Sequence, residues 1–288
     1  MTFEKYLQKK GILSKTVARH QREVNKYESW LSAKGKQAEN AEKKDILDYL
    51  QHIKEKRNIT NTTQNNLLQL LKNYHAYLTQ EYGIDNITHF IKIRGTKRRH
   101  LKQLFTSDEL YQLCDDYYIY TQQYKPNSRE LNFYPDYEKL LQGRYIALTL
   151  VAYQAVQPSE ILNLTQKDFD LRKATITIHQ NLRGAERILP LEVSQIGMII
   201  QYFAEGDKPI MPNLNQFERL NQSLKTLHSK YADFRQIRAS VITNWISLYG
   251  LRKAQYMAGH KYISGTERFI AHNFEKLQND FDNFHPLN

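Results

Sequence analysis

The chain has 288 residues, enough for two modest domains with a core each, and 41% of them are hydrophobic. No apolar run approaches the roughly 18 residues of a spanning helix, and the opening MTFEKYLQKK lacks an apolar signal core, so nothing argues for export. The net charge of +11 is unevenly placed: residues 1–103 hold 21 Lys/Arg against 10 Asp/Glu, and residues 104–288 hold 20 against 20. A polyanion is therefore the expected partner, and the strongly basic, one-face-apolar helix that an acidic lipid surface would select is not apparent. The single cysteine, Cys114, can form no internal disulfide, which suits a reducing cytoplasm, and its LYQLC setting reads as core.

The first third reads as all-helical. Ser14 can cap a helix running through Trp30 and Leu31, with Val17, Val24, Tyr27 and Leu31 on one face and Gly35 closing it. Ile46, Leu47, Leu50 and Ile53 mark a second helix that ends near Asn58. Thr62 or Thr63 caps a third, whose Leu67, Leu70, Leu71, Tyr74 and Leu78 form a core stripe up to Gly83. The run KIRGTKRRHLK is charged and without periodicity, as expected of an interdomain linker, and Lys97, Arg98, Arg99 and Lys102 make it a candidate strap along a DNA backbone. The boundaries expected are a helical domain over 1–91, a linker over 92–103 and a second domain over 104–288.

The second domain opens on a capped helix start, Thr106-Ser107-Asp108-Glu109. The Tyr-rich stretch 116–139 has no secure placement and could form a helical hairpin extension. Helices are expected over Tyr145–Gln154 and from Pro158. Ala174–His179 alternates β-branched residues, NLRGAER turns, and Ile188–Leu191 resumes, giving a short hairpin. Arg238 opens a further apolar-periodic helix that Gly250 breaks. A second helix then ends at Gly259-His260, and Thr266-Glu267-Arg268-Phe269 follows.

In order and spacing, the stretch from Gln236 to Pro286 resembles the C-terminal half of the tyrosine recombinases (phage integrase, Xer type). There an Arg-His-Ser helix leads to a Leu-Gly-His turn and then to Thr-x-x-Tyr, whose tyrosine attacks DNA. The helical first domain, basic linker and capped helix are similar to the same family. The resemblance implies a mainly α fold with a small β-hairpin in the second domain, a double-stranded DNA partner, assembly on DNA, and no metal or cofactor.

It also implies site residues, with departures. Arg238 matches the second family arginine and His260 the Gly-His turn, both expected to hold a phosphate oxygen. Arg235 and Ala239 stand where the family has two histidines. Gln157, in QAVQPSE, replaces the first arginine, and Glu160 keeps a turn-orienting place. Arg183 lies one position from the expected hairpin lysine, and Arg187 matches the basic residue before the Ile-Leu-Pro-Leu strand; either could contact phosphate.

Phe269 takes the place of the nucleophile, and a phenyl ring has no oxygen to attack phosphorus. The expectation is a DNA-binding member of the recombination and integration machinery that does not cleave by itself. The alternative is an active recombinase whose nucleophile has been mutated, or displaced to Tyr256 or Tyr262. Beyond the site, Phe274, Leu277, Phe281 and Phe284 recur every three or four residues, one helical stripe suited either to internal packing or to association with another subunit.

Overall fold

Thr2, Thr60, Thr106, Asn127, Asp136, Asn213 and Asp233 each accept a backbone N–H from the turn they open, so many helix starts are written in single side chains. The computed structural model describes residues 1–93, 103–181, 184–204 and 206–270. It divides the chain into two units, Met1–Arg99 and His100–Asn288.

The first unit contains α1 (Phe3–Lys9), α2 (Ser14–Ser32), α3 (Lys43–Arg57) and α4 (Asn61–Tyr82). Their apolar faces meet in one cluster that includes Leu7, Val24, Tyr27, Leu31, Ile46, Tyr49, Leu50, Leu68 and Leu71. Burial of each such Leu or Ile contributes about 1.5–3 kcal/mol. Three sequence expectations need correction. Leu13, not Ser14, is the N-cap of α2, and it makes no side-chain cap bond. Thr60 rather than Thr62 or Thr63 caps α4, its Oγ1 accepting from Thr63 N at 3.3 Å. Leu47 stays 46% exposed, because the core face of α3 is set by Ile46, Tyr49, Leu50 and Ile53.

The second unit is built around α7. Before it come α5 (Ser107–Gln123), opened by the Thr106/Glu109 capping box, and the short α6 (Ser128–Phe133). The Tyr-rich stretch thus holds the end of α5, α6 and the start of α7 (Tyr137–Gln154). Two of its tyrosines meet on one carboxylate: Tyr124 Oη donates to both oxygens of Glu130 at 3.0 Å, and Tyr137 Oη to one at 3.1 Å. The second half of α7 is buried nearly all round, with Ile146, Ala147, Leu148, Leu150, Val151 and Ala152 all inside, as in a central helix.

After α8 (Pro158–Ile161) the chain forms β1 (Phe169–Asp170), β2 (Thr175–Ile178) and β3 (Arg187–Pro190), an antiparallel sheet in that order. β2 and β3 pair Thr177 with Ile188 and Ile178 with Arg187. The expected hairpin is present, and β1 adds a third strand that its two residues did not signal. α9 (Val193–Phe203), α10 (Leu214–Leu227), α11 (Phe234–Ala258) and α12 (Ser264–Glu267) complete the unit. Gly250 interrupts α11 with φ 76° and ψ 169°, a conformation essentially limited to glycine, so the break is encoded by one residue. No described helix is long and apolar enough to cross a membrane.

Candidate functional site

Three segments of the second unit converge: the turn after α7, the hairpin base at β3, and the turn after α11. α7 ends with Ala155 in the left-handed region, φ 50°, and Val156 N–H returns to Leu150 O at 3.2 Å. Gln157 then caps α8, and its backbone N–H donates to Glu160 Oε2 at 2.8 Å. At the far segment, Gly259 ends α11 in the left-handed region, φ 67°.

Arg238, one turn into α11, joins two of these segments. Its guanidinium donates from Nη1 to Ala155 O and from Nη2 to Ala258 O, the latter at 2.6 Å. No carboxylate pairs with it among the described residues. Burial, then the charges of Arg187 and Arg268, pull it down to about 10, with Glu160 opposing, so it stays protonated at neutral pH.

Arg187 joins the third segment. β3 alternates buried and exposed residues, which turns Arg187 inward with Leu189. It is 1% exposed, and both terminal nitrogens meet Glu160, at 3.0 and 2.8 Å. Asn181 Nδ2 adds a further bond to Glu160 at 3.2 Å. Burial pushes the Glu160 carboxyl up, but the Arg187 fork and the Gln157 N–H outweigh it and hold the group below the usual carboxylate range. Arg187 ties β3 to α8: it is buried and its charge is paired with Glu160, unlike the solvent-facing phosphate cation expected from the sequence. Its buried Nε finds no acceptor among the described residues.

The hairpin base also meets the turn after α11 directly. Ala185 N–H donates to Gly259 O at 2.9 Å, and Gly184 bridges His260. A Cβ on Gly259 would lie 2.6 Å from Arg187 Nη1, so the turn can close over the buried guanidinium only with glycine there.

His260 is partly buried, with Nδ1 at 2.8 Å from Thr266 Oγ1. Burial, then Arg238, Arg268 and Arg187, lower it to about 4, so the imidazole is neutral at pH 7. Its ring lies parallel to Phe269, with centroids 6.0 Å apart and planes 2° from coplanar. Phe269 is buried and belongs to the main core of the unit. Thr266, three residues earlier, is wholly buried and sets this geometry.

Arg238, His260, Phe269, Gln157 and Glu160 thus fall in one neighbourhood. Arg235 is exposed at the start of α11, and Ala239 is buried. Arg183, the linker residues Lys97, Arg98, Arg99 and Lys102, and the stripe of Phe274, Leu277, Phe281 and Phe284 lie outside the described residues. Tyr256 Oη accepts from Ile188 N–H at 3.1 Å, and Tyr262 is 77% exposed. Sequence reasoning missed Arg268, an exposed guanidinium 5.1 Å from the Phe269 ring centroid; its place next to Phe269 was the available signal. Among the described residues no group of three or more His, Cys, Asp or Glu could hold a metal ion.

Residues 1–82 match the family model described as the phage integrase, N-terminal SAM-like domain. The structure of XerH site-specific recombinase bound to palindromic difH substrate is similar at TM-score 0.68 and 14% identity, covering 92% of this chain and 78% of that one. The chain has the tyrosine-recombinase fold. The Tn1549 transposon integrase in complex with circular intermediate DNA aligns at TM-score 0.64 and 17% identity, over 93% of this chain and 95% of that one. A lambda integrase dimer bound to a COC′ core site aligns at TM-score 0.64 and 15% identity, over 93% and 92%. No curated protein matches the chain. The mainly helical architecture with a small antiparallel sheet is that of these tyrosine recombinases.

Proposed function

We propose that the protein binds duplex DNA and takes part in site-specific recombination or integration without cleaving DNA by itself, as an inactive partner or regulator. The observation that carries this reading is Phe269: where the family has its nucleophile, a buried phenyl ring lies against His260. Phosphoryl transfer needs an attacking oxygen in line and cations on the equatorial oxygens. Phe269 supplies no oxygen, and Gln157, in place of the first arginine, supplies no charge. The related structures described above hold DNA, which supports the partner.

In this reading residues 1–91 form the helical DNA-binding domain, 92–103 the basic linker and 104–288 the catalytic-type domain, working in the cytoplasm. The stripe of Phe274, Leu277, Phe281 and Phe284 mediates association with a second copy or with an active recombinase.

Incubation of the full chain with a nicked suicide duplex tests the reading. Retarded DNA without a covalent adduct is expected. A phosphotyrosyl peptide at Tyr256, Tyr262 or any other tyrosine overturns it. Phe269→Tyr alone should give weak cleavage at best, because loss of a positioned cation costs on the order of 10²–10³ in rate. Robust cleavage by that variant would favour the alternative, an active recombinase with an altered nucleophile.

A further inference from the structure

The cations around His260 differ in what neutralises them. Arg187 is paired with Glu160. Arg238 is held by two backbone carbonyls, which orient it without cancelling its charge. Arg268, the C-cap of α12, is exposed, and its side chain has no hydrogen bond or ion pair among the described residues. Its guanidinium carbon sits 5.1 Å from the centroid of Phe269, the ring that stacks on His260. One guanidinium thus lies over the Phe269 ring and another is held at Ala258, two residues before His260, and the charge of Arg268 is felt at both Arg238 and His260.

We propose that Arg268 is a phosphate-binding residue, supplying from the turn before Phe269 the second positive charge that Gln157 cannot supply. This rests on the DNA-binding reading and gives the site its ligand class, a phosphodiester held between Arg238 and Arg268. The charge of Arg268 opposes that of Arg238, and an anion bound by both relieves that repulsion. The planar fork of arginine suits two oxygens of one phosphate. Gln157 keeps its turn intact through the bond from its N–H to Glu160. The fold of the 155–160 turn therefore survives the loss of its arginine, and the charge returns on a neighbouring turn.

The test uses the full chain and two probes, inorganic phosphate and a mixed-sequence DNA duplex. The imidazole NMR signal of His260, assigned by its loss in His260→Gln, reports phosphate binding. Wild type should titrate, Arg268→Ala should need about tenfold more phosphate or worse, and Arg268→Lys should recover part of the loss. With duplex, Arg268→Ala should lower the log–log salt slope by roughly 0.9, one phosphate contact.

Equal phosphate affinity in wild type and Arg268→Ala overturns the inference, as does a wild-type signal that ignores phosphate. If phosphate behaves as expected but wild type does not bind duplex, the DNA reading fails and the anion site stands. If wild type binds duplex and Arg268→Ala changes neither readout, the inference fails and the DNA reading stands. Because Arg268 is exposed, the Trp245 unfolding midpoint should not move, and a large shift would mark Arg268 as structural and overturn its proposed role.

Discussion

Arg187→Met removes one half of the pair that joins β3 to α8. Methionine is of similar length and apolar, so the cavity term is small and the main effect is electrostatic. Glu160, 6% exposed, keeps two donors, Gln157 N–H and Asn181 Nδ2, but loses both charged ones. Breaking a buried ion pair on one side costs about 3–5 kcal/mol, and the surviving donors favour the lower end. For a unit of this size about 3 kcal/mol corresponds to a fall in Tm of roughly 6–12 °C.

The penalty should also depend on pH with a definite sign. In wild type the Glu160 carboxyl is held low, so its stabilisation is full above its unfolded value near 4.5 and is lost as pH falls through the lower folded value. Without Arg187, burial dominates and raises the carboxyl instead. The deficit of the variant should therefore be largest at neutral pH and shrink on acidification. Urea unfolding followed by the buried Trp245, in a Trp30→Phe background that silences the first unit, reads it directly. A deficit under about 1 kcal/mol, or one that stays constant between pH 7 and 4, would refute the argument. In the same cycle, Glu160→Leu with Arg187→Met should be less harmful than either single change.

Gly259→Ala should destabilise the second unit by about 2 kcal/mol or more, from the left-handed backbone and from its Cβ meeting Arg187; an unchanged urea midpoint would show that the turn relaxes freely. His260 is lowered to about 4, so between pH 6.5 and 4 the unfolded chain binds the extra proton and stability falls with acid; His260→Gln should flatten that part of the profile, and an unaltered profile would place the effect elsewhere. Neutralising Lys97, Arg98 and Arg99 together should weaken duplex binding and lower the log–log salt slope by roughly 0.9 for each phosphate no longer held; binding with the same affinity and slope would remove the strap.

The elements legible in the sequence were those marked by chemistry at a single position: Gly250 and Gly259 on α11, the Thr106/Glu109 box, the alternation of β2. Those that escaped lacked such marks. α1 is only seven residues long, β1 two, and α7 begins eight residues before Tyr145 because a helix buried nearly all round shows no periodicity. In the site, the motif order gave Arg238, His260 and Phe269. The fate of Arg187 did not follow from the motif, because an arginine reads as a surface cation until its strand face is known. Here the alternation with Leu189 turns it inward, and a glutamate twenty-seven residues away accounts for its presence there.

Tyr256, weighed as a stand-in nucleophile, acquires a different meaning from its bond to β3. That strand lies at one edge of the described sheet, and edges invite pairing with foreign strands. Backbone groups along it alternate between the partner strand and the open side, so Ile188 and Pro190 face outward. The Ile188 N–H is occupied by Tyr256 Oη, Pro190 has no N–H to offer, and Pro190 O accepts from Gln154 Nε2 at 2.9 Å. Of these groups only the Ile188 carbonyl has no partner among the described residues. This edge is thereby guarded against strand addition, and a partner that docks along β3 has to recognise side chains rather than pair with its backbone.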